Sequence, residues 1–156
     1  MYKIIFVYFL ANFFSESFCQ NLYVSPGLQV GVNSEFKFFL SGQLTFGIFN
    51  PHASTLNPGI TLGYKKIKRD DTWKSYHYYD LQLHNMGNII QPGFGVGLIK
   101  QKKLPHIFRF KIWAGWFILG SYEYINFPEY GKNHFGVFGV LPLITDIGKK
   151  RKPLVL

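Results

Sequence analysis

The amino-acid sequence predicts an all-β protein, an antiparallel up-and-down β-barrel of about eight strands preceded by a signal peptide. Three observations indicate this fold. After residue 20, apolar residues recur at every second position, and no segment has helical spacing over three turns. Several of these segments are longer than the roughly five or six residues usual for strands. Glycine is frequent, with 16 residues, and aromatic residues make up 19% of the chain, which favours strands and turns.

Composition also limits the class of protein. Hydrophobic residues make up 47% of the 156 residues, which excludes an intrinsically disordered chain. The single cysteine excludes a disulfide scaffold and a zinc module built on cysteines. The net charge of +9 favours anionic partners. The length is that of one domain.

The start of the chain is a candidate secretory signal peptide. Residues 1–3 carry a positive charge, residues 4–14 are apolar, and small residues stand at Ser17 and Cys19. Cleavage is expected after Cys19. The apolar run is too short to span a bilayer as a helix. Two alternatives stay open, acylation of Cys19 as in a lipoprotein and retention of the segment as a strand or helix.

The chain is accordingly divided into a signal peptide, residues 1–19, a β-barrel domain, residues 20–144, and a basic C-terminal tail, residues 145–156. No internal repeat or linker interrupts the middle part. The tail contains four consecutive basic residues, 149–152, followed by a proline. We therefore expect the tail to lie outside any strand.

The first four predicted strands are Tyr23–Asn33, Phe36–Phe49, Asn57–Lys66 and Trp73–His84. In the first, leucine and valine alternate with glutamine, glycine and asparagine. The second is the longest of these four and sets phenylalanine, leucine and isoleucine against lysine, serine, glutamine and threonine. The third and fourth continue the same alternation. Asn-Ser, Asn-Pro and Asp-Asp pairs between the segments predict turns.

The last four predicted strands are Ile89–Lys100, His106–Leu119, Tyr122–Phe127 and His134–Leu141. In the fifth, three glycines alternate with Phe94, Val96 and Leu98. The sixth sets phenylalanine, isoleucine and tryptophan against arginine, lysine and Trp113. A Gly-Ser pair at residues 120–121 predicts the turn after this strand. The seventh is short, and the eighth alternates again.

Alternation does not decide which face lies inside the barrel. A soluble barrel turns its apolar face inward, whereas a transmembrane barrel turns it toward lipid. Three features favour the transmembrane order. Six segments reach the nine to eleven residues that a membrane strand requires. The polar faces hold glycine and uncharged polar residues, and tyrosine and tryptophan stand near strand ends, where interfacial girdles lie.

The transmembrane order places polar and charged residues in the interior, where opposite charges offset one another. An eight-stranded barrel is just filled by such side chains, so an open pore is not expected. The predicted interior residues are Lys37, Gln43, Asp80, Gln82, Arg109, Lys111 and Glu123.

These features together resemble the small outer-membrane β-barrels of Gram-negative bacteria. The composition, rich in Phe, Tyr, Ile, Lys and Asn, is similar to exported proteins of the Bacteroidota, and the segments Tyr79–Leu83 and His134–Val140 look like family-specific blocks. The resemblance implies an outer-membrane location and a non-enzymatic structural or surface-binding role. Two alternatives stay open, a soluble exported β-domain that binds an apolar ligand or protein partner, and a barrel enzyme that modifies lipid A.

The enzyme alternative depends on one group of residues. Lipid A-modifying barrels use Ser, His and a carboxylate near the outer rim, and Ser75 and His77 share one strand face with Asp70, Asp71 or Asp80 nearby. Such neighbours are common in ordinary strands. No G-x-S-x-G motif occurs in the chain. We therefore predict no catalytic residues.

No cofactor or metal is predicted. The five histidines lack ligand spacing, and no helix follows the glycines at residues 93–97, as a phosphate-binding loop requires. Basic clusters at residues 65–69, 100–103 and 149–152 are explained by anionic lipid headgroups or by solvated loops. Export argues against a nucleic-acid partner.

Overall fold

The computed structural model describes residues 21–49, 56–85, 90–101, 105–116, 118–127 and 131–145. The predicted signal peptide and the basic run of the tail lie outside these residues. Nine strands occur in the described part of the chain: β1 Asn21–Asn33, β2 Phe38–Phe49, β3 Asn57–Arg69, β4 Thr72–His84, β5 Gly93–Gln101, β6 Ile107–Gly115, β7 Ile118–Ile125, β8 Asn133–Val140 and β9 Leu143–Thr145.

The sheet closes on itself. Each strand from β1 to β8 pairs antiparallel with the next, and β8 pairs back with β1. The predicted all-β up-and-down barrel is therefore confirmed. The described residues include no helix long and apolar enough to cross a membrane.

β8 and β9 act together as the eighth strand of the barrel. Both pair with β1 in one continuous register, Gly27 opposite Val140 and Val24 opposite Leu143. Pro142 lies between them and has no backbone N–H to donate to the ladder. The proline therefore explains why this strand is divided.

The register determines how strongly the strands tilt. One row of paired residues runs once around the barrel and returns to β1 ten residues further along, through Tyr23, Gly47, Gly59, Gln82, Gly95, Lys111, Glu123, His134 and Asn33. Eight strands with this stagger tilt by roughly 40° from the barrel axis. We call the end with the β1–β2, β3–β4, β5–β6 and β7–β8 connections the hairpin end, and the opposite end, where β1 begins, the terminal end.

The two faces of the wall differ sharply in chemistry. Apolar side chains point outward on every strand; Phe46 and Phe108, for example, are 45% and 49% exposed. Inward positions hold buried polar and charged residues, among them Gln29, Lys65 and Arg109. The alternation of the strands therefore separates an apolar exterior from an interior that holds the buried charges.

Several predicted strand boundaries differ from the observed ones, and two of these differences have a clear physical reason. Phe36 belongs to the β1–β2 turn, with a φ of 57°, because the Asn33 side chain accepts hydrogen bonds from the backbone N–H groups of Glu35 and Lys37. The predicted sixth strand, His106–Leu119, is divided between β6 and β7. The chain reverses after Gly115, whose φ of 153° suits glycine, and the predicted turn at residues 120–121 lies inside β7.

Replacing Gly63 with alanine is expected to lower the free energy of unfolding by roughly 1–3 kcal/mol through overpacking. A Cβ atom at this inward position would collide with the ring of Tyr78, which is held by a 2.9 Å hydrogen bond between its hydroxyl and Ser41. The matched control is Gly139→Ala, an outward glycine whose Cβ would meet nothing within 4 Å. Urea unfolding followed by tryptophan fluorescence measures the stability of both variants. Equal unfolding midpoints for the two variants would contradict this packing.

Candidate functional site

The interior holds a cluster of five charged side chains from four strands. Lys65 comes from β3, Asp80 from β4, Arg109 and Lys111 from β6, and Glu123 from β7. All five residues are at most 5% exposed. We call them the charge cluster. Three cations against two carboxylates leave this group with one excess positive charge if all are ionised.

Glu123 lies at the centre of the charge cluster. Its Oε2 atom accepts hydrogen bonds from Lys65 Nζ at 2.7 Å and from Arg109 Nε at 3.2 Å. Its Oε1 atom accepts one from Gln29 Nε2 at 2.6 Å and lies 3.1 Å from Arg109 Nη2. Because each oxygen accepts a hydrogen bond and lies close to a cation, the desolvation of this carboxylate is offset by direct contacts.

Arg109 joins the two carboxylates. Its Nη1 atom donates to Asp80 Oδ2 while its other nitrogens contact Glu123. The guanidinium carbon lies 4.0 Å from the centre of the Tyr78 ring. A planar guanidinium with several donors suits this bridging position better than an ammonium group.

Lys111 is held by amide oxygens and by an aromatic ring. Its Nζ atom donates to Gln29 Oε1 at 3.2 Å and to Gln43 Oε1 at 3.3 Å. The same atom lies 4.0 Å from the centre of the Phe138 ring. Neutral oxygens and a ring face stabilise a buried cation, although less than a carboxylate.

Toward the hairpin end, the charge cluster is covered by an inner apolar cluster: Phe39, Ile67, Tyr76, Tyr78, Ile99, Ile125 and Phe127. Beyond it, a cavity of about 190 Å³ opens among Asn33, Lys37, Asp70 and Lys74. Toward the terminal end, a second cavity of about 40 Å³ lies among Tyr23, Thr45, Gln82 and His84. The two clusters lie between these cavities and fill the middle of the barrel.

The seven predicted interior residues occupy different places. Asp80, Arg109, Lys111 and Glu123 lie together in the charge cluster. Gln43 accepts hydrogen bonds from Lys111 and Tyr78, and Gln82 accepts one from Thr61 at 2.8 Å. Lys37 lies apart at the hairpin end, where its side chain is 40% exposed and its Nζ atom is 3.7 Å from Asp70.

Sequence reasoning missed several residues of this interior. Lys65 and Gln29 both bind Glu123 and were not among the predicted interior residues. Their position in the alternation could have predicted an inward orientation, since Lys65 shares the polar face of its strand with Thr61 and Gly63. The inner apolar cluster had no such signal, because its isoleucines look like any other apolar residue in a strand.

Ser75 and His77, the pair behind the enzyme alternative, lie on the outside of β4. Ser75 Oγ accepts a hydrogen bond from the Tyr64 hydroxyl at 2.6 Å, and the His77 ring lies 5.0 Å from the Tyr64 ring. Asp80 points to the opposite side of the wall and binds Arg109. The pair and this carboxylate therefore do not meet.

The described residues contain no group of three or more His, Cys, Asp or Glu side chains arranged to hold a metal ion. His84 and His134 are buried inside the barrel, where each packs against aromatic rings, and His77 and His106 are exposed. His52 lies outside the described residues. Inside β5, Gly93 makes room for the ring of Trp113.

Comparison of the chain with known protein families, with curated proteins and with solved structures found no match.

Proposed function

We propose that this protein is a small outer-membrane β-barrel with a closed lumen and a non-enzymatic structural or surface-binding role. The supporting observation is the apolar exterior, which continues around all eight strands. Exposed representatives, one from each strand, are Leu28, Leu44, Leu62, Leu81, Val96, Ile112, Ile118 and Val137. Soluble monomers rarely expose contiguous apolar patches larger than a few hundred Å².

The height of the wall suits a bilayer. β1, β3 and β4 each have 13 residues. At about 3.3 Å per residue and a tilt of roughly 40°, such strands cover roughly 30 Å along the barrel axis. The outward apolar band of outer-membrane barrels is about 25 Å tall. The long strands therefore span this band with a short margin at each end.

The closed interior supports a role other than conduction. The charge cluster and the inner apolar cluster occupy the cross-section, and the cavities on either side measure about 190 and 40 Å³. An ion crossing the barrel would have to displace side chains that bind one another. We therefore assign the protein to structural or surface-binding barrels.

Anionic lipid headgroups are the proposed partners of the exterior. Aromatic residues with polar tips, Tyr64, Trp73 and Tyr79, are exposed on β3 and β4. Outward lysines lie on the same surface near the hairpin end, with Lys68 directly opposite Trp73. Rings of this kind prefer the membrane interface, and lysines beside them attract anionic headgroups.

Refolding of the chain into phospholipid vesicles tests this proposal. We expect the protein to float with the vesicles and to migrate differently on a gel before and after heating, because a folded barrel resists detergent at low temperature. Planar bilayers containing it are expected to show no steady ion current. Recovery of the protein in the soluble periplasmic fraction of expressing cells would contradict membrane insertion and favour a soluble domain that binds an apolar ligand.

A further inference from the structure

The outward charges of the barrel are concentrated in one place. Among the described strand residues, the outward-pointing lysines are Lys66 and Lys68 on β3 and Lys100 on β5. These two strands flank β4, and all three lysines lie toward the hairpin end. No outward strand position in the described part of the chain carries a carboxylate. The strand part of this surface is therefore positive, and Asp70 and Asp71 stand beyond it in the β3–β4 turn, where Asp70 contacts Lys37 and Arg69.

The lysines surround a compact group of polar side chains. Lys66 stands opposite Ser75, and His77 stands opposite both Tyr64 and Lys100. Residues directly opposite in antiparallel strands have Cβ atoms about 5 Å apart. We call these five residues, Tyr64, Lys66, Ser75, His77 and Lys100, the outer basic patch.

Contacts within the outer basic patch position its donors. The Tyr64 hydroxyl donates to Ser75 Oγ at 2.6 Å, so the Ser75 hydroxyl hydrogen remains for another acceptor. Lys66 Nζ lies 5.8 Å from the centre of the Tyr64 ring, and the His77 ring lies 5.0 Å from it on β4. Ammonium, hydroxyl and imidazole donors thus converge on one area of the wall.

We infer that the outer basic patch binds the phosphate of an anionic lipid headgroup. Phosphate oxygens accept several charge-assisted hydrogen bonds at once, which matches two lysines with a serine and a histidine between them. The exposed apolar residues Leu62 and Leu81 lie on the same outer face, further from the hairpin end, where the acyl chains of the same lipid would lie. This inference rests on the proposed membrane location and identifies the surface that would bind the lipid headgroup there.

The binding experiment uses the full chain, folded in a zwitterionic detergent, and measures retained lipid by native mass spectrometry. Phosphatidylglycerol is the anionic probe, and phosphatidylcholine is the zwitterionic reference. We expect phosphatidylglycerol to be retained preferentially. The double variant Lys66→Gln with Lys100→Gln is expected to weaken this retention about tenfold, because each lysine near a membrane surface attracts anionic lipid measurably.

Two control variants test whether retention depends on positive charge within the outer basic patch. Lys74→Gln with Lys132→Gln removes two hairpin-end charges outside the patch and is expected to leave retention unchanged. Lys66→Arg with Lys100→Arg keeps the charge and is expected to preserve it. Equal retention by the wild type and the Lys66→Gln, Lys100→Gln variant would overturn the inference.

Two further outcomes separate this inference from the proposed function. Competition by inorganic phosphate as effective as that of the lipid would assign the patch to soluble phosphate and overturn the lipid assignment. A barrel that inserts into vesicles but retains both lipids equally contradicts only the patch. A chain that does not insert at all contradicts the proposed function itself.

Discussion

Replacing Glu123 with leucine is expected to lower the free energy of unfolding by about 3–5 kcal/mol, the cost of removing one partner from a buried ion pair. Lys65 and Arg109 both lose a carboxylate at 2.7–3.2 Å, and Gln29 loses the acceptor of a 2.6 Å hydrogen bond. Arg109 keeps its hydrogen bond to Asp80, whereas Lys65 loses its hydrogen-bonded carboxylate and keeps the contact of its Nζ atom with the Phe39 ring at 3.7 Å. Urea unfolding in lipid vesicles, followed by tryptophan fluorescence, measures the change.

Two variants show whether the loss comes from the buried charge. Glu35→Leu removes an exposed carboxylate from the β1–β2 turn and is expected to change stability by less than about 0.5 kcal/mol. Glu123→Gln keeps the shape and an acceptor oxygen but removes the charge, so its stability should fall between those of the wild type and Glu123→Leu. If Glu123→Leu unfolded at the same urea concentration as Glu35→Leu, the charge cluster would not stabilise the barrel.

Replacing Leu62 with arginine is expected to destabilise the barrel strongly if lipid surrounds it. The substitution therefore distinguishes lipid from water outside the barrel. Leu62 is 53% exposed near the middle of β3. Facing the hydrocarbon midplane, an arginine costs about 2–4 kcal/mol of folding free energy. Facing water, the same change on an exposed residue would cost little. Reversible folding into vesicles, measured against urea concentration, gives the difference.

The matched control for this substitution is Leu22→Arg. Leu22 also points outward and is 46% exposed, but it is the second residue of β1, at the terminal end. Near the interface the cost of arginine falls to roughly 0–1 kcal/mol. A depth-dependent difference between the two variants supports membrane insertion. Equal small effects at both positions would place water around the whole barrel.

The order of strands was predictable because it depends on local spacing. Period-two alternation and turn residues predict the approximate strand positions, and strands joined by short turns usually pair with their sequence neighbours. The β6–β7 boundary was not predictable from spacing. Trp116 and Ile118 continue the apolar alternation of β6 into β7, so the reversal after Gly115 leaves no break in the pattern.

The candidate site was predictable only in part. Asp80, Arg109, Lys111 and Glu123 follow from their position on the polar faces, and the structure brings them together. Lys37 shares that alternation but lies where the strand begins, so the turn places it at the hairpin end. Position along the strand, and not only the face, decides whether an inward residue reaches the middle of the barrel.

The sequence by itself determined the strands and the division of each strand into an apolar and a polar face, because both depend on neighbours two residues apart. The sequence favoured the polar face as the inner one, but only the tertiary structure decided which charges meet. Lys65 and Glu123 are 58 residues apart in the chain and 2.7 Å apart in the barrel. Such partners meet only in the closed barrel. The ten-residue stagger of its strand pairing determines the height along the barrel axis at which each inward side chain lies.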